Sequence, residues 1–383
     1  MTTNKNKQTC SRCLSDSDDQ FIKFDEAGIC NYCYKYDLEM ENSYHVNNNG
    51  TKKFKNIIKN IKNIKNNKKQ KYDCIIGLSG GVDSTYLAYL LKEYDINALA
   101  VHVDAGWNTE LSVFNIQKTI DYTGFDLETV VVEWDEIRRL QIAFLKSEVM
   151  NQDIPQDHIF FTSLYNIAIK ENIKYILTGS NLQTEGMTGY FGHNNMDSRY
   201  LKDIFKKYGT GRLISYKTTS FFRLYFLIPF IFKIKTIKPF NYLSYDKDKA
   251  TKILQNDIGY KPYKYKHGES VWTRFFQDYL LVNKFNFDKR KTHLSSLVLQ
   301  KKLEKAEAIK ILGKPAYDMR NFQYDSSYIA RKLEIPVEEF HSYLEYQGKD
   351  NKSFKNNTKI YNFLSKIKHL VEKVFSLKIS NYK

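Results

Sequence analysis

Apolar positions along the chain fall into short solid runs separated by stretches with helical spacing. Cys74-Ile75-Ile76 is such a run, and it breaks off at a double glycine. From Leu87 the apolar residues recur at Leu90, Leu91 and Tyr94, the i, i+3, i+4, i+7 pattern of an amphipathic helix. A buried inner strand, a turn and a helix are predicted in that order. Three more strands follow, at Ala98 to Val103, in "LETVVVEW", and at Tyr175 to Thr178. Helical stretches separate them, at Leu111 to Tyr122, Ile137 to Met150 and Phe160 to Glu171. The alternation predicts an α/β fold built on a doubly wound, mostly parallel sheet, with ligands at the carboxyl ends of the strands.

Upstream, Phe54, Ile57, Ile58, Ile61 and Ile64 have helical spacing, and the intervening lysines form a solvated face. Downstream, "FFRLYFLIPFIFKIKTI" spans residues 221 to 237 and has nine uncharged residues between Arg223 and Lys233. That is far short of the roughly 20 needed to span a bilayer, so the reading is a buried or partly exposed helix, with docking on a membrane face as the alternative. In the tail, "SSYIARKLEIPVEEFHSYL" has a helix–turn–helix cadence. Glu338, Glu339 and Glu345 would repel phosphate, so this pair reads as a helical hairpin packed on the rest of the chain.

The length of 383 residues leaves room for about two to three domains. The expected segments are a metal-binding knuckle over 1–45 and a basic amphipathic linker helix over 46–71. A catalytic α/β domain over 72–215, a mainly helical substrate-side region over 216–348 and a basic tail over 349–383 complete the chain. Net charge is +16, which raises the question of a polyanionic partner. Much of the excess is lysine interleaved with asparagine and isoleucine, which fits a generic basic surface and makes nucleic acid an unlikely partner. "MTTNKNKQ" lacks the apolar core of a signal peptide, so a cytoplasmic protein without a transmembrane segment is expected.

Four of the five cysteines form two pairs, Cys10/Cys13 and Cys30/Cys33, sixteen residues apart. Two CxxC turns at this spacing suit a four-thiolate zinc site. Cys in all four positions points to structural zinc, because a catalytic zinc keeps one position open. "FIKFDEAGIC" reads as a strand and a Gly28 turn feeding the second pair.

The turn after Ile76 holds the most specific chemistry. Leu78, Ser79, Gly80, Gly81, Val82, Asp83 and Ser84 lead into a helix whose first amides carry the positive end of the dipole. Glycines let the backbone approach an anion, and the serines add hydroxyl donors. Asp83 beside a phosphate makes sense with Mg²⁺ shared between them. Neither GxxxxGK[ST] nor GxGxxG is present here.

"SGGVDS" resembles the PP-loop of the N-type ATP pyrophosphatases, of adenine nucleotide alpha hydrolase-like fold. The resemblance implies cleavage of ATP between its α- and β-phosphates and adenylylation of a carbonyl or carboxylate. It also carries over Val103 and Asp104 to the adenine and reacting side, and Gly179, Asn181 and Glu185 to the end of the fourth strand. More widely, "CSRC…FDEAGICNYC", "SGGVDSTYLAYLLK", "VHVDAGWN", "KHGESVWTRFFQDYLL" and "FDKRKTHLSSLV" resemble the N-acetyl sugar amidotransferase family of surface-polysaccharide biosynthesis. The implied cofactors are ATP, Mg²⁺ and structural Zn²⁺. The implied partners are a separate glutaminase subunit, a cyclase-like ammonia-delivering subunit and a nucleotide-activated sugar. The polar set of residues 266 to 295 would then be a substrate-side wall. Arg274, Arg290, Lys289 and Glu269 would engage substrate, and His267 or His293 would move a proton. The rival reading is a tRNA-modifying sulfur transferase, which needs more cysteines than the single one, Cys74, left outside the pairs.

Overall fold

The computed structural model describes residues 7–19, 21–68, 70–189, 196–345 and 353–375. Its centre is a five-stranded sheet of β1 (Cys74–Gly77), β2 (Ala98–Asp104), β3 (Asp126–Val131), β4 (Tyr175–Leu177) and β5 (Lys235–Ile237). The strand order is β3-β2-β1-β4-β5, and every neighbouring pair is parallel. Strand order reverses between β1 and β4, so the crevice beyond their carboxyl ends is where an open α/β sheet takes a ligand.

Side chains alternate across this sheet. Ile75, Leu99, Val101 and Ile176 enter one core, with helices Trp134–Ser147, Ile154–Lys170 and Ser198–Tyr208. Cys74, Ile76, Ala98, Ala100 and Leu177 enter the other, with helices Val82–Glu93 and Lys247–Ile258. The lysine-rich segment is helical over Asn48–Lys68, and it buries Phe54, Ile58 and Ile61 in that second core. This explains why so basic a segment is ordered: its isoleucines cover the sheet's helical layer.

The fifth strand departs from the expected architecture. Residues 221 to 237 are not one helix: a wide-turned π-helical segment, Arg223–Ile231, is followed at once by β5. Pro229 inside that segment has no N–H to donate, which suits a widened turn.

Beyond β5 the chain is mainly helical. Trp107, Trp272, Phe275 and Phe276 form a third core with Ile329, Leu333 and Phe340. The last three come from helices Phe322–Leu333 and Val337–Glu345, so the hairpin packs its apolar face inward. Helix Thr358–Phe375 ends the described chain, and residues 349–352 and 376–383 of the expected basic tail lie outside the described residues. No helix among the described residues is long and apolar enough to cross a membrane.

Candidate active site and metal centre

The metal centre is assembled from two tight turns. Cys10, Cys13, Cys30 and Cys33 are fully buried, with Sγ–Sγ separations of 3.8 Å (Cys10–Cys33), 3.6 Å (Cys13–Cys30) and 3.7 Å (Cys30–Cys33). A tetrahedral zinc with Zn–S near 2.3 Å sets its ligands ~3.8 Å apart, so these side chains fit that ion. An iron–sulfur cube would stand between the thiolates and push them further apart. Amides of Arg12, Ser15 and Cys30 point at the sulfurs of Cys10, Cys13 and Cys10 respectively, at 3.3–3.4 Å. Gly28 takes φ +71° in the turn before Cys30, and Phe24 bridges to Cys30 in place of an extended strand.

The knuckle is anchored on helices Arg290–Leu299 and Lys305–Leu312. Ser295 accepts from the Leu14 amide at 3.1 Å, Lys291 pairs with Asp16 at 2.6 Å, and Lys305 donates to the Cys10 carbonyl at 2.7 Å.

The second centre lies at the sheet's switch point. After β1, the Leu78 amide still bonds to Val101 of β2, at 2.9 Å, before the chain turns at Gly80 with φ +79°. A side chain at Gly80 would come within 2.5 Å of the Ser112 carbonyl. Ser79 and Ser84 hydroxyls lie 3.2 Å apart, and Ser84 also donates to the Gly81 carbonyl at 3.1 Å. Helix Val82–Glu93 begins at Gly81 with no side-chain cap. Its first-turn amides are therefore free of the partner that a Ser or Asp cap would supply, as an anion cradle requires. Gly179, at the end of β4, packs so closely that a Cβ there would sit 2.8 Å from the Asp83 carbonyl carbon.

The cradle's outer wall arrives from far along the chain. The Tyr245 hydroxyl donates to Asp83 Oδ1, and Tyr263 donates to the Gly80 carbonyl at 3.0 Å. Residues 267–271 are stitched to the tip of β2: Asn108 bridges Ser270, and the Thr109 amide bonds to the Glu269 carbonyl at 3.0 Å. That pairing brings Glu269 over Gly81, where its carboxyl lies 3.8 Å from a Cβ built on the glycine. The described residues gather no carboxylate set like the four cysteines. Asp83 would therefore hold Mg²⁺ jointly with nucleotide phosphates, the usual arrangement for that ion.

Charges in this crevice act on one another. Desolvation by its neighbours pushes Lys266 down to about 7, against the pull of Glu185 and Asp83, and raises the Glu185 carboxyl, although both residues keep solvent-exposed surface. Burial, with Lys289 and Lys266 adding to it, pushes His267 down to about 4 although Glu269 stands 3.6 Å from its Nδ1. Burial alone would raise Glu269, but the His267 contact leaves it below the usual range. His293 is held well below its ordinary value by burial and by Lys266 and Lys289, and its Nδ1 lies 2.9 Å from the Thr184 carbonyl. Both imidazoles are neutral at neutral pH and bury an Nε2 with no partner among the described residues. With Nδ1 facing an acceptor in each ring, Nε2 is the lone-pair atom, a ready proton acceptor.

The structure thus groups Ser79, Gly80, Gly81, Val82, Asp83, Ser84 and Gly179 with Glu185, His267, Glu269, Lys289 and His293. Other expected residues have local duties. Asp104 Oδ1 accepts from the Gly106 amide at 2.8 Å and from Asn108 at 3.0 Å, closing the turn after β2, while Val103 is buried in β2. Asn181 caps helix Leu182–Glu185 through the Thr184 amide. Arg274 donates from Nη2 to both carboxylate oxygens of buried Asp325 at 2.7–2.8 Å. Arg290 is held by Asp288 at 2.7 Å and by the carbonyls of Leu312 and Lys314. Both guanidiniums fasten segments of the chain together, each through a carboxylate of its own chain. Tyr245 and Tyr263 had no local signal, since only the fold brings them 162 and 183 positions back to the loop.

Residues 53–216 match the NAD synthase family, and residues 269–368 match the family described as LPS biosynthesis protein WbpG-like, C-terminal domain. The chain thus joins a domain of the NAD synthase, PP-loop type to a WbpG-like C-terminal domain. The WbpG-like match begins at Glu269, so that domain supplies a wall of the PP-loop crevice. Among curated proteins, the tRNA-specific 2-thiouridylase MnmA 2 of Fusobacterium nucleatum is 31% identical over 113 residues, 27% of this chain and 32% of that one. The tRNA(Ile)-lysidine synthase of Chlamydia pneumoniae is 49% identical over 41 residues, 11% and 12% of the two chains. The chain therefore spans about a third and about an eighth of the length of these relatives. Among solved structures, the U34-tRNA thiolase NcsA of Methanococcus maripaludis is 16% identical, covering 80% of this chain and 88% of that one, at TM-score 0.34. The NH3-dependent NAD synthetase of Campylobacter jejuni is also 16% identical, covering 67% and 96%, at TM-score 0.34.

Proposed function

We propose that the protein is an ATP-dependent amidotransferase acting on an acetamido group of a nucleotide-activated sugar in lipopolysaccharide, capsule or flagellin-glycan biosynthesis. The observation that carries this reading is the joint crevice, in which a PP-loop from one matched domain faces Glu269, Lys289 and His293 from the other.

The proposed chemistry suits the groups present. The acetamido oxygen attacks the α-phosphorus of ATP and the bond to the β-phosphate oxygen breaks, releasing pyrophosphate. First-turn amides, the two serine hydroxyls and Asp83 with Mg²⁺ would hold the departing charge in fixed positions, where preorganised donors are most effective. Ammonia then adds to the activated carbon, a proton passes from nitrogen to an imidazole Nε2, and AMP leaves with the former amide oxygen. The product is an acetamidino group. His267 and His293, both neutral, can accept that proton. Ammonia would come from a separate glutaminase through a cyclase-like partner, and a closed path would keep water from the activated carbon.

The test supplies ATP, Mg²⁺ and ammonium with a panel of nucleotide-activated diacetamido sugars, and in parallel with tRNA. AMP and pyrophosphate formed only with a sugar support the reading. Turnover only with tRNA would replace it with sulfur transfer or another tRNA modification. Against that second reading, Cys74 is the one thiol outside the knuckle, and it is wholly buried in β1.

A further inference from the structure

From Ile204 to Tyr245 the chain has eight lysines and arginines and no acidic residue. At the centre of this segment lies the π-helical turn Arg223–Ile231, which is apolar on two sides. Leu224 and Ile228 enter the sheet's core. On the other side Phe222, Phe226 and Phe230 recur every four residues and remain 59%, 39% and 64% exposed, with Ile231 at 68%. Phe222 and Phe226 stack at 5.4 Å, so the stripe is ordered as well as exposed. Each phenylalanine left in water forgoes the stabilisation of burial, and a helix already seated by Leu224 and Ile228 has no use for a second apolar face within its own fold. Helix Thr358–Phe375 lies against the same element through Tyr225 and Tyr361, at 5.8 Å, and it too leaves Ile360 and Phe363 uncovered between exposed Lys359 and Lys366.

We propose that this face seats on an anionic bilayer surface, with the phenylalanines at the acyl boundary and the surrounding lysines at headgroup phosphates. The charge pattern selects that occupant. A second copy of the chain docking face to face would set one acid-free basic segment against another, whereas an anionic leaflet complements its charges other than Lys207, which pairs with Asp203 at 2.9 Å. Apolar aromatics beside lysines, on an element too short to cross the membrane, are the composition of an interfacial anchor. The inference is independent of the sugar chemistry.

The test is co-sedimentation of the full zinc-loaded chain with vesicles of mixed phosphatidylglycerol and phosphatidylcholine, and with vesicles of phosphatidylcholine alone. Binding to the anionic vesicles only, weakened by salt, is expected. Combined Phe222→Ser, Phe226→Ser and Phe230→Ser should cut it at least about tenfold, with zinc content and circular dichroism unchanged. Lys233→Glu with Lys235→Glu should weaken it while leaving the apolar face intact. Absence of vesicle binding, or binding that the serine substitutions leave intact, would overturn the proposal. So would self-association, or capture of a soluble protein without lipid, that the same substitutions abolish.

Discussion

The zinc knuckle and the PP-loop crevice are both built to hold a charged guest, yet the chain assembles them in opposite ways. The knuckle draws four thiolates from residues 10 to 33 and converges them to within 4.8 Å of one another. The crevice starts from an equally local turn, Ser79 to Ser84, but closes with Tyr245, Tyr263 and Glu269, which only the finished fold delivers. A metal can organise its own ligands from two short turns, because ligation free energy is folding free energy. A phosphate cradle that must also expose a reactive bond needs walls of different origin. The two meet on one element. Helix Arg290–Leu299 holds the knuckle with Ser295 and Lys291, and it turns His293 to the Thr184 carbonyl on the crevice side.

Breaking the local site should have the largest effect. Cys30→Ser should remove the metal, measured as zinc per chain, and cost several kcal/mol of stability, against the ~10 kcal/mol scale of a structural zinc site. Because the knuckle braces the helix with His293, sugar amination should fall as well. Asp83→Ala should do the converse: pyrophosphate release drops by about 10²–10³-fold while zinc content stays unchanged.

A smaller effect separates the charge of the crevice wall from its shape. Lys266 is pushed down to about 7, so in the empty site it loses its proton as pH rises through that value. Nucleotide phosphates favour the charged amine, so ATP binding should take up a proton above pH 7 and weaken as pH rises. Calorimetry in two buffers of different ionisation enthalpy measures the uptake. Lys266→Met should abolish it and weaken binding about tenfold, or ~1.4 kcal/mol. The smallest effect is Ser295→Ala, which removes one hydrogen bond between knuckle and helix and should cost about 1 kcal/mol, read as a lower thermal midpoint with zinc retained.

Legibility in the sequence follows the same division. Four strands, the knuckle and the loop are written in local spacing, and the structure has all of them. β5 was missed because its three residues close an apolar run that reads as a single helix. The arginines show a deeper limit. Arg274 and Arg290 lie in a polar stretch that looks the same whether a guanidinium meets a substrate or a carboxylate of its own chain, and Asp325 is 51 positions away from Arg274. Tyr245 is the reverse case: ordinary in sequence, it gains its meaning from burial beside Asp83.

The central claim is that ATP activates an acetamido oxygen in the crevice between the PP-loop and the WbpG-like domain. A sugar carrying oxygen-18 in that carbonyl, turned over with unlabelled ATP, Mg²⁺ and ammonium, tests it directly by mass spectrometry of the AMP released. The account predicts one labelled oxygen in each AMP and an acetamidino product free of the label. Unlabelled AMP, with the label retained in the sugar, would contradict it.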